Sequence, residues 1–260
     1  MGTAWRSYGG PRYRWGGLLT PAIKALLIAN AALFLLQTFL QLLASQEASR
    51  MFLREFGLVP LLATRGLRIW QPFTYLFLHG GLWHLLINML VLWMFGSDIE
   101  RAWGRRKFLI YYFLTGVGAG LINIAVKMAF YPLGSLPQTA VTIGASGAVY
   151  GILLAAALLF PDRQVWLIPF PLMLPMRVFV FLIGAVAFYG SLGSGGDNIS
   201  HITHLGGMLV GYLYLRRGSY FFGLRNRYSD WRRRRLRRKF EVYQQKHREE
   251  PPRPPGDWVN

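Results

Sequence analysis

Ser146 lies in the run Gly144-Ala145-Ser146-Gly147, which opens a chargeless apolar stretch from Ala148 to Phe160. Two other apolar stretches carry His84 with Asn88, and His204. A hydroxyl, imidazoles and an amide within hydrocarbon are costly unless they find partners or perform chemistry. This set suits acyl transfer. A serine hydroxyl is a weak nucleophile until a base removes its proton, and a neutral imidazole can accept that proton. Ser146 and His204 are thus the candidate dyad. Tyr150, one turn beyond Ser146 on the same helical face, is placed to stack on the imidazole and orient it by packing. The nearest acidic residue is Asp197, in a loop seven residues before His204, and no carboxylate sits at matching depth in an apolar stretch. A tetrahedral intermediate also needs hydrogen-bond donors for its oxyanion. Ser146 begins a helix, so its backbone N–H faces the reacting carbonyl. His84 and Asn88, four residues apart, share one face and offer side-chain donors. The competing reading of these two side chains is plain cross-linking between helices.

The elements that must position these groups read as membrane spans. Of 260 residues 53% are hydrophobic and 15% charged, and the mean hydropathy is +0.29, which marks an integral membrane protein. Six spans are expected: Pro21 to Ala44, Leu82 to Phe95, Phe108 to Phe130, Ala145 to Pro161, Val165 to Tyr189 and Ile199 to Leu215. Residues 1–20 read as a basic cytosolic tail and 21–217 as the six-helix domain. Residues 218–260 read as a basic, partly disordered cytosolic tail. The stretch 45–71 mixes apolar residues with arginines and is expected to be an interfacial structure at the membrane. No cleavable signal peptide is expected, because the first apolar run is span-length.

Charge agrees with this count. The formal charge is +18, and 13 of the 29 basic residues lie between Arg216 and Arg248. With Arg101, Arg105, Arg106, Lys107 and Arg163 they put both termini and two loops on the cytoplasmic side. Loops 45–71, 132–144 and 190–198 are then outside. A basic run directly after an apolar helix faces anionic lipid headgroups rather than nucleic acid.

Depth brings the polar residues together. At about 1.5 Å rise per residue, Ser146 lies roughly 21 Å, His204 roughly 17 Å, His84 roughly 20 Å and Asn88 roughly 14 Å above the inner border of a slab about 30 Å thick. Gly147-xxx-Gly151 and Gly207-xxx-Gly211 are small-residue faces that allow close helix approach, and His204 shares a stripe with Gly207. His79 is expected to pin an outer loop by hydrogen bonding, and His201 to line a water path. His201-x-x-His204 has helical spacing for zinc, but no third ligand stands nearby, so no metal and no cofactor are expected.

The pattern resembles the rhomboid family of intramembrane serine proteases. The matching residues are Trp70-Gln71-Pro72-Phe73-Thr74, His79, His84-x-x-x-Asn88, Glu100-Arg101-x-x-Gly104, Gly144-Ala145-Ser146-Gly147 with Tyr150 and Gly151, and His204-Leu205-Gly206-Gly207 with Gly211. They span about residues 50–215 in the family's order. The resemblance implies an all-α, six-helix bundle of bacterial type with a membrane-associated loop after the first helix, resident in a bacterial inner membrane. It implies Ser146 as nucleophile, His204 as base and His84, Asn88 and the Ser146 N–H as oxyanion hole, with Gly144, Gly147, Gly207 and Tyr150 in support. Transmembrane proteins are the implied substrates. Two positions depart from the pattern: Trp70-Gln71 where the family often has Trp-Arg, and Glu100-Arg101 where it often has Glu-x-Arg. Two other functions remain open, a catalytically silent rhomboid-like binder of client helices and a polytopic transporter. A transporter would favour inverted repeats, and none is evident. Oligomeric state is not legible.

Overall fold

A computed structural model describes residues 19–166, 172–192 and 201–217. The expected tails therefore lie outside the described residues, except Leu19 and Thr20, and so does Asp197. The chain to Tyr212 forms one unit, and Leu213 onward clusters separately.

The first helix, α1 (Pro21–Phe39), starts on Thr20 with proline at its first position and ends in a π-helical turn, Leu40–Ala44. Proline fits there because its missing N–H would be unpaired anyway. The N-terminus is capped by a distant carboxylate. Glu100, 4% exposed, accepts from Ala22 N (2.9 Å) and Ile23 N (3.2 Å) and from the Thr20 hydroxyl. Three donors and the positive end of the helix dipole hold this buried charge. Glu100 thus stitches α1 to its own helix, α6 (Ser97–Trp103).

Residues 45–71 fold into two short helices, α2 (Gln46–Phe56) and α3 (Pro60–Thr64). Ser45 caps α2 by accepting from Ala48 N at 3.0 Å. In the following turn α4 (Gln71–Thr74), Gln71 is fully buried. Its Oε1 accepts from Val59 N (3.0 Å) while its Nε2 donates to Arg54 O (2.9 Å) and Glu55 O (3.2 Å). Trp70 Nε1 also donates to Glu55 O, at 3.0 Å. The neutral amide anchors the loop where the family pattern has arginine.

Helix α5 (Leu82–Val91) runs through a π turn into α6 (Ser97–Trp103), and Gly104, at φ +80°, turns the chain into α7 (Arg105–Phe130). After α8 (Leu136–Thr139) comes α9 (Ser146–Leu159), most of whose residues are buried. An all-round apolar helix of this kind belongs at the centre, and α7 packs along it. Helix α10 (Met176–Leu192) and α11 (201–217) follow. Among the described residues three helical stretches are long and apolar enough to cross a membrane, Pro21–Leu43, Leu82–Trp103 and Arg105–Phe130, and Ser146–Leu159 and Met176–Leu192 are shorter apolar helices. Exposed Leu35, Leu42, Trp83 and Phe181 belong to the face such helices turn to lipid.

The fifth expected span needs correction. Gln164–Trp166 (β1) pairs antiparallel with Met173–Pro175 (β2), and the helix starts only at Met176. Pro175 removes a backbone donor and bars extension of that helix back through residues 172–175, so the expected all-α fold carries a small hairpin; Pro169 and Pro171 lie outside the described residues. Asp98 on α6 pairs with Arg101 and with Arg163 just before that hairpin, tying α6 to the end of α9.

Replacing Glu100 with alanine should lower the unfolding free energy in detergent by about 1–3 kcal/mol, since buried donors lose a charged acceptor. A thermal unfolding midpoint equal to the parent's would refute the cap.

Candidate active site

Alpha-helical packing without Cβ atoms brings the polar residues together. A Cβ on Gly207 would lie 1.9 Å from Gly147 O, so α11 crosses α9 backbone to backbone just beyond Ser146. Gly151 sits against Thr115 and Gly211 against Tyr111, where a Cβ would come to 2.7 and 2.5 Å. Tyr111 donates to Gly151 O (2.8 Å) and Tyr75 to Gly116 O (2.7 Å), tying α7 to α9 and to the segment after α4. Asn123 Nδ2 donates to Thr203 Oγ1 at 3.0 Å, joining α7 to α11 beside His204.

This crossing brings His204 onto Tyr150. Their ring centroids lie 4.1 Å apart with planes 5° from parallel. Tyr150 is four residues from Ser146 on α9, so the imidazole lies on the face that carries the hydroxyl. Ser146, Tyr150 and His204 are half-buried rather than sealed. Nδ1 of His204 has no hydrogen-bond partner among the described residues, and the stacked phenol ring is what orients the imidazole.

His84 approaches from the other side. A Cβ on Gly144 would lie 2.8 Å from His84 Cε1, 2.9 Å from its Nε2 and 3.8 Å from Ser146 Oγ, which puts the imidazole edge beside the Gly144-Ala145-Ser146 turn. Gly144 has φ +127°, and its N–H donates to Tyr75 O (2.9 Å). Both the backbone angle and the neighbouring ring demand glycine. Gly80 N donates to His84 Nδ1 at 3.3 Å. An accepting Nδ1 means the ring proton is on Nε2, the atom facing Gly144. Asn88 is buried, and one amide hydrogen goes to His84 O at 2.7 Å, leaving the other for a further acceptor.

His79 anchors its loop differently from expectation. The His79 ring makes no hydrogen bond among the described residues and sits edge-on to His84, with centroids 5.2 Å apart. Burial, together with the neighbouring His84, pushes the His79 imidazole down to about 4. Its backbone, not its ring, is what is pinned: Gln37 on α1 pairs with both His79 N and His79 O at 3.1 Å. His201 lies against Gly190 on α10, where a Cβ would be 2.5 Å from its Nε2, and edge-on to His204. Among the described residues no group of three or more His, Cys, Asp or Glu could hold a metal ion.

A Rhomboid domain model matches residues 66–220. Rhomboid protein 1, mitochondrial, of Saccharomyces cerevisiae is 31% identical over 140 residues, covering 53% of this chain and 38% of that protein. RHOMBOID-like protein 1 of Arabidopsis thaliana is 27% identical over 241 residues, covering 82% of this chain and 57% of that protein. Presenilin-associated rhomboid-like protein, mitochondrial, of Mus musculus is 31% identical over 148 residues, covering 55% and 36%. The chain belongs to the rhomboid family and is an integral, multi-pass membrane protein. It spans 36–57% of the length of these relatives. They are mitochondrial or plant proteins, so the expected bacterial type and bacterial inner membrane gain no support from them.

Gly207→Ala should destabilise the protein by about 1–3 kcal/mol through overpacking, although helix propensity alone would favour alanine by about 1 kcal/mol. Gly184→Ala on α10, where the nearest atom would be 3.5 Å away, should be tolerated. Thermal unfolding of both variants in one detergent checks the contrast.

Proposed function

We propose that this chain is an intramembrane serine endopeptidase that hydrolyses peptide bonds in or next to transmembrane segments of membrane proteins. The observation that carries the reading is the His204 imidazole stacked on Tyr150, one turn from Ser146 on the same helix.

Ser146 is the nucleophile and His204 the base. As Ser146 Oγ bonds to the scissile carbonyl carbon, His204 takes the hydroxyl proton, then returns it to the leaving amine as the C–N bond breaks. A water next adds to the acyl carbon, giving its proton to His204, and the Oγ–C bond breaks as Ser146 regains a proton. The oxyanion is held by His84 Nε2–H, the remaining amide hydrogen of Asn88 and the Ser146 backbone N–H. Gly144 leaves room for the His84 ring, while Gly147 and Gly207 allow the helix crossing that delivers the base.

The wider frame belongs to the same proposal. Six spans are formed by α1, α5 with α6, α7, α9, α10 and α11, with both termini cytoplasmic by their basic flanks. Helices α2 and α3 lie at the outer membrane surface. Transmembrane proteins are the substrates, and the basic run after Arg216 meets anionic lipid headgroups.

Purified protein should cut a single-span substrate in detergent, and Ser146→Ala or His204→Ala should each reduce kcat by at least about 1000-fold. A fluorophosphonate should label the parent and not Ser146→Ala. A parent that binds substrate but neither cuts nor labels would instead mark a catalytically silent binder. Tyr150→Leu should lower kcat about 10- to 100-fold by misplacing the base, while Tyr150→Phe, which keeps the stacked ring, should stay within about threefold.

A further inference from the structure

Gln37 lies on α1, outside the residues 66–220 that the Rhomboid domain model matches. It is a buried amide in an apolar helix, and such a group is normally satisfied by its own helix or a neighbouring one. Here both of its functions go to a single residue in a loop. Nε2 donates to His79 O and Oε1 accepts from His79 N, each at 3.1 Å. The amide therefore does for His79 what a paired strand would do, satisfying both backbone groups and fixing the peptide planes on either side.

What those planes fix is the proposed oxyanion donor. The residue after His79 is Gly80, whose N–H reaches His84 Nδ1 at 3.3 Å. That contact sets the tautomer and the ring rotation, so that Nε2–H faces Gly144 and Ser146. The ring of His79, 2% exposed, stands edge-on against the same imidazole. Gly80 is exposed and carries no side chain of its own to hold the loop, so the clamp on its neighbour is what keeps its N–H aimed.

We infer that Gln37 is a positioning residue for His84, acting from the first helix through the His79 backbone and the Gly80 N–H. This rests on the reading of Ser146 as nucleophile and His84 as oxyanion donor. Its effect belongs in the transition state. A misrotated His84 would leave substrate binding unchanged while weakening charge stabilisation as the oxyanion forms.

The test is a double-mutant cycle on the purified full chain, with a transmembrane substrate in detergent. Gln37→Met removes the amide at nearly equal length, and Gly80→Pro removes the N–H, its ring taking the hydrogen's place against His84 Nδ1 and restricting the His79 backbone before it. Each should lower kcat about 10-fold with KM within about twofold, a fraction of what losing a whole oxyanion donor costs. In a His84→Ala background both should have less than about a twofold further effect, since the group they orient is gone. Leu36→Ala, on an exposed neighbouring position of α1, is the control and should change nothing. Unchanged kcat in Gly80→Pro, or an equal loss with and without His84, would overturn the inference. Full activity in Ser146→Ala would overturn the reading of Ser146 as nucleophile and this inference with it. Inactive Ser146→Ala beside fully active Gln37→Met would sink the inference alone.

Discussion

The absence of one side chain at Gly207 is the constraint from which the arrangement of the site follows. Any Cβ there would overlap the carbonyl of Gly147, so no other residue lets α11 cross α9 at this depth. Because His204 is three residues before Gly207 on the same stripe, that crossing decides which ring the imidazole meets. It meets Tyr150. The neighbouring contacts follow the same rule, with Gly151 under Thr115 and Gly211 under Tyr111. In a lipid medium apolar burial gives helices little reason to prefer one another, so close backbone packing and interhelical hydrogen bonds must supply the preference.

The hydrogen bonds are laid out accordingly. Tyr75, Tyr111, Asn123, Glu100, Gln37 and Gln71 are all buried or nearly so, and each bonds a different element from its own. A polar group that bonds across elements in a medium without water fixes both partners, because releasing either leaves it unsatisfied. Several of these contacts end close to a proposed catalytic group: Thr203 is next to His204, Tyr75 O holds Gly144 two residues before Ser146, and Gln37 holds His79, whose neighbour Gly80 bonds the His84 ring itself. The polar residues that do no chemistry thus aim those that would.

This division explains what was legible in the sequence. Ser146, His84, Asn88 and His204 stand out because each is polar inside an apolar run, and the small-residue spacings on α9 and α11 point to their meeting. The Tyr150 stack could be anticipated because it needs only helical periodicity. The long-range partners could not. Nothing in Glu100 announces that it caps a helix starting 79 positions earlier at Pro21, and Gln37 looks like one more polar residue near a span end. His79 was legible as an anchor point, but the bonding passes through its backbone, which no residue type records. The span expected from Val165 starts late, at Met176: Pro175 cannot continue the helix backwards, and Gln164–Trp166 pairs with Met173–Pro175 as a hairpin instead.

Helix α9 also sets a problem that the rest of the fold has to solve. Its 14 residues make about 21 Å at 1.5 Å per residue, short of a hydrocarbon slab about 30 Å thick. In the proposed six-span arrangement the chain leading to Ser146 descends into the membrane without helical hydrogen bonds, which is tolerable only where protein satisfies the backbone. Residues 142–144 meet that demand one group at a time. Thr142 exchanges both backbone bonds with Leu58, and Gly144 N–H reaches Tyr75 O. The buried Lys127 amine on α7 donates to the Thr142 hydroxyl at 3.3 Å. Leu58 lies between α2 and α3, so the link joining those helices supplies a one-residue strand partner for this stretch of chain. A serine at a helix start within the membrane is in this sense supported from outside its own helix, and the loop after α1 is part of the machinery that keeps it there.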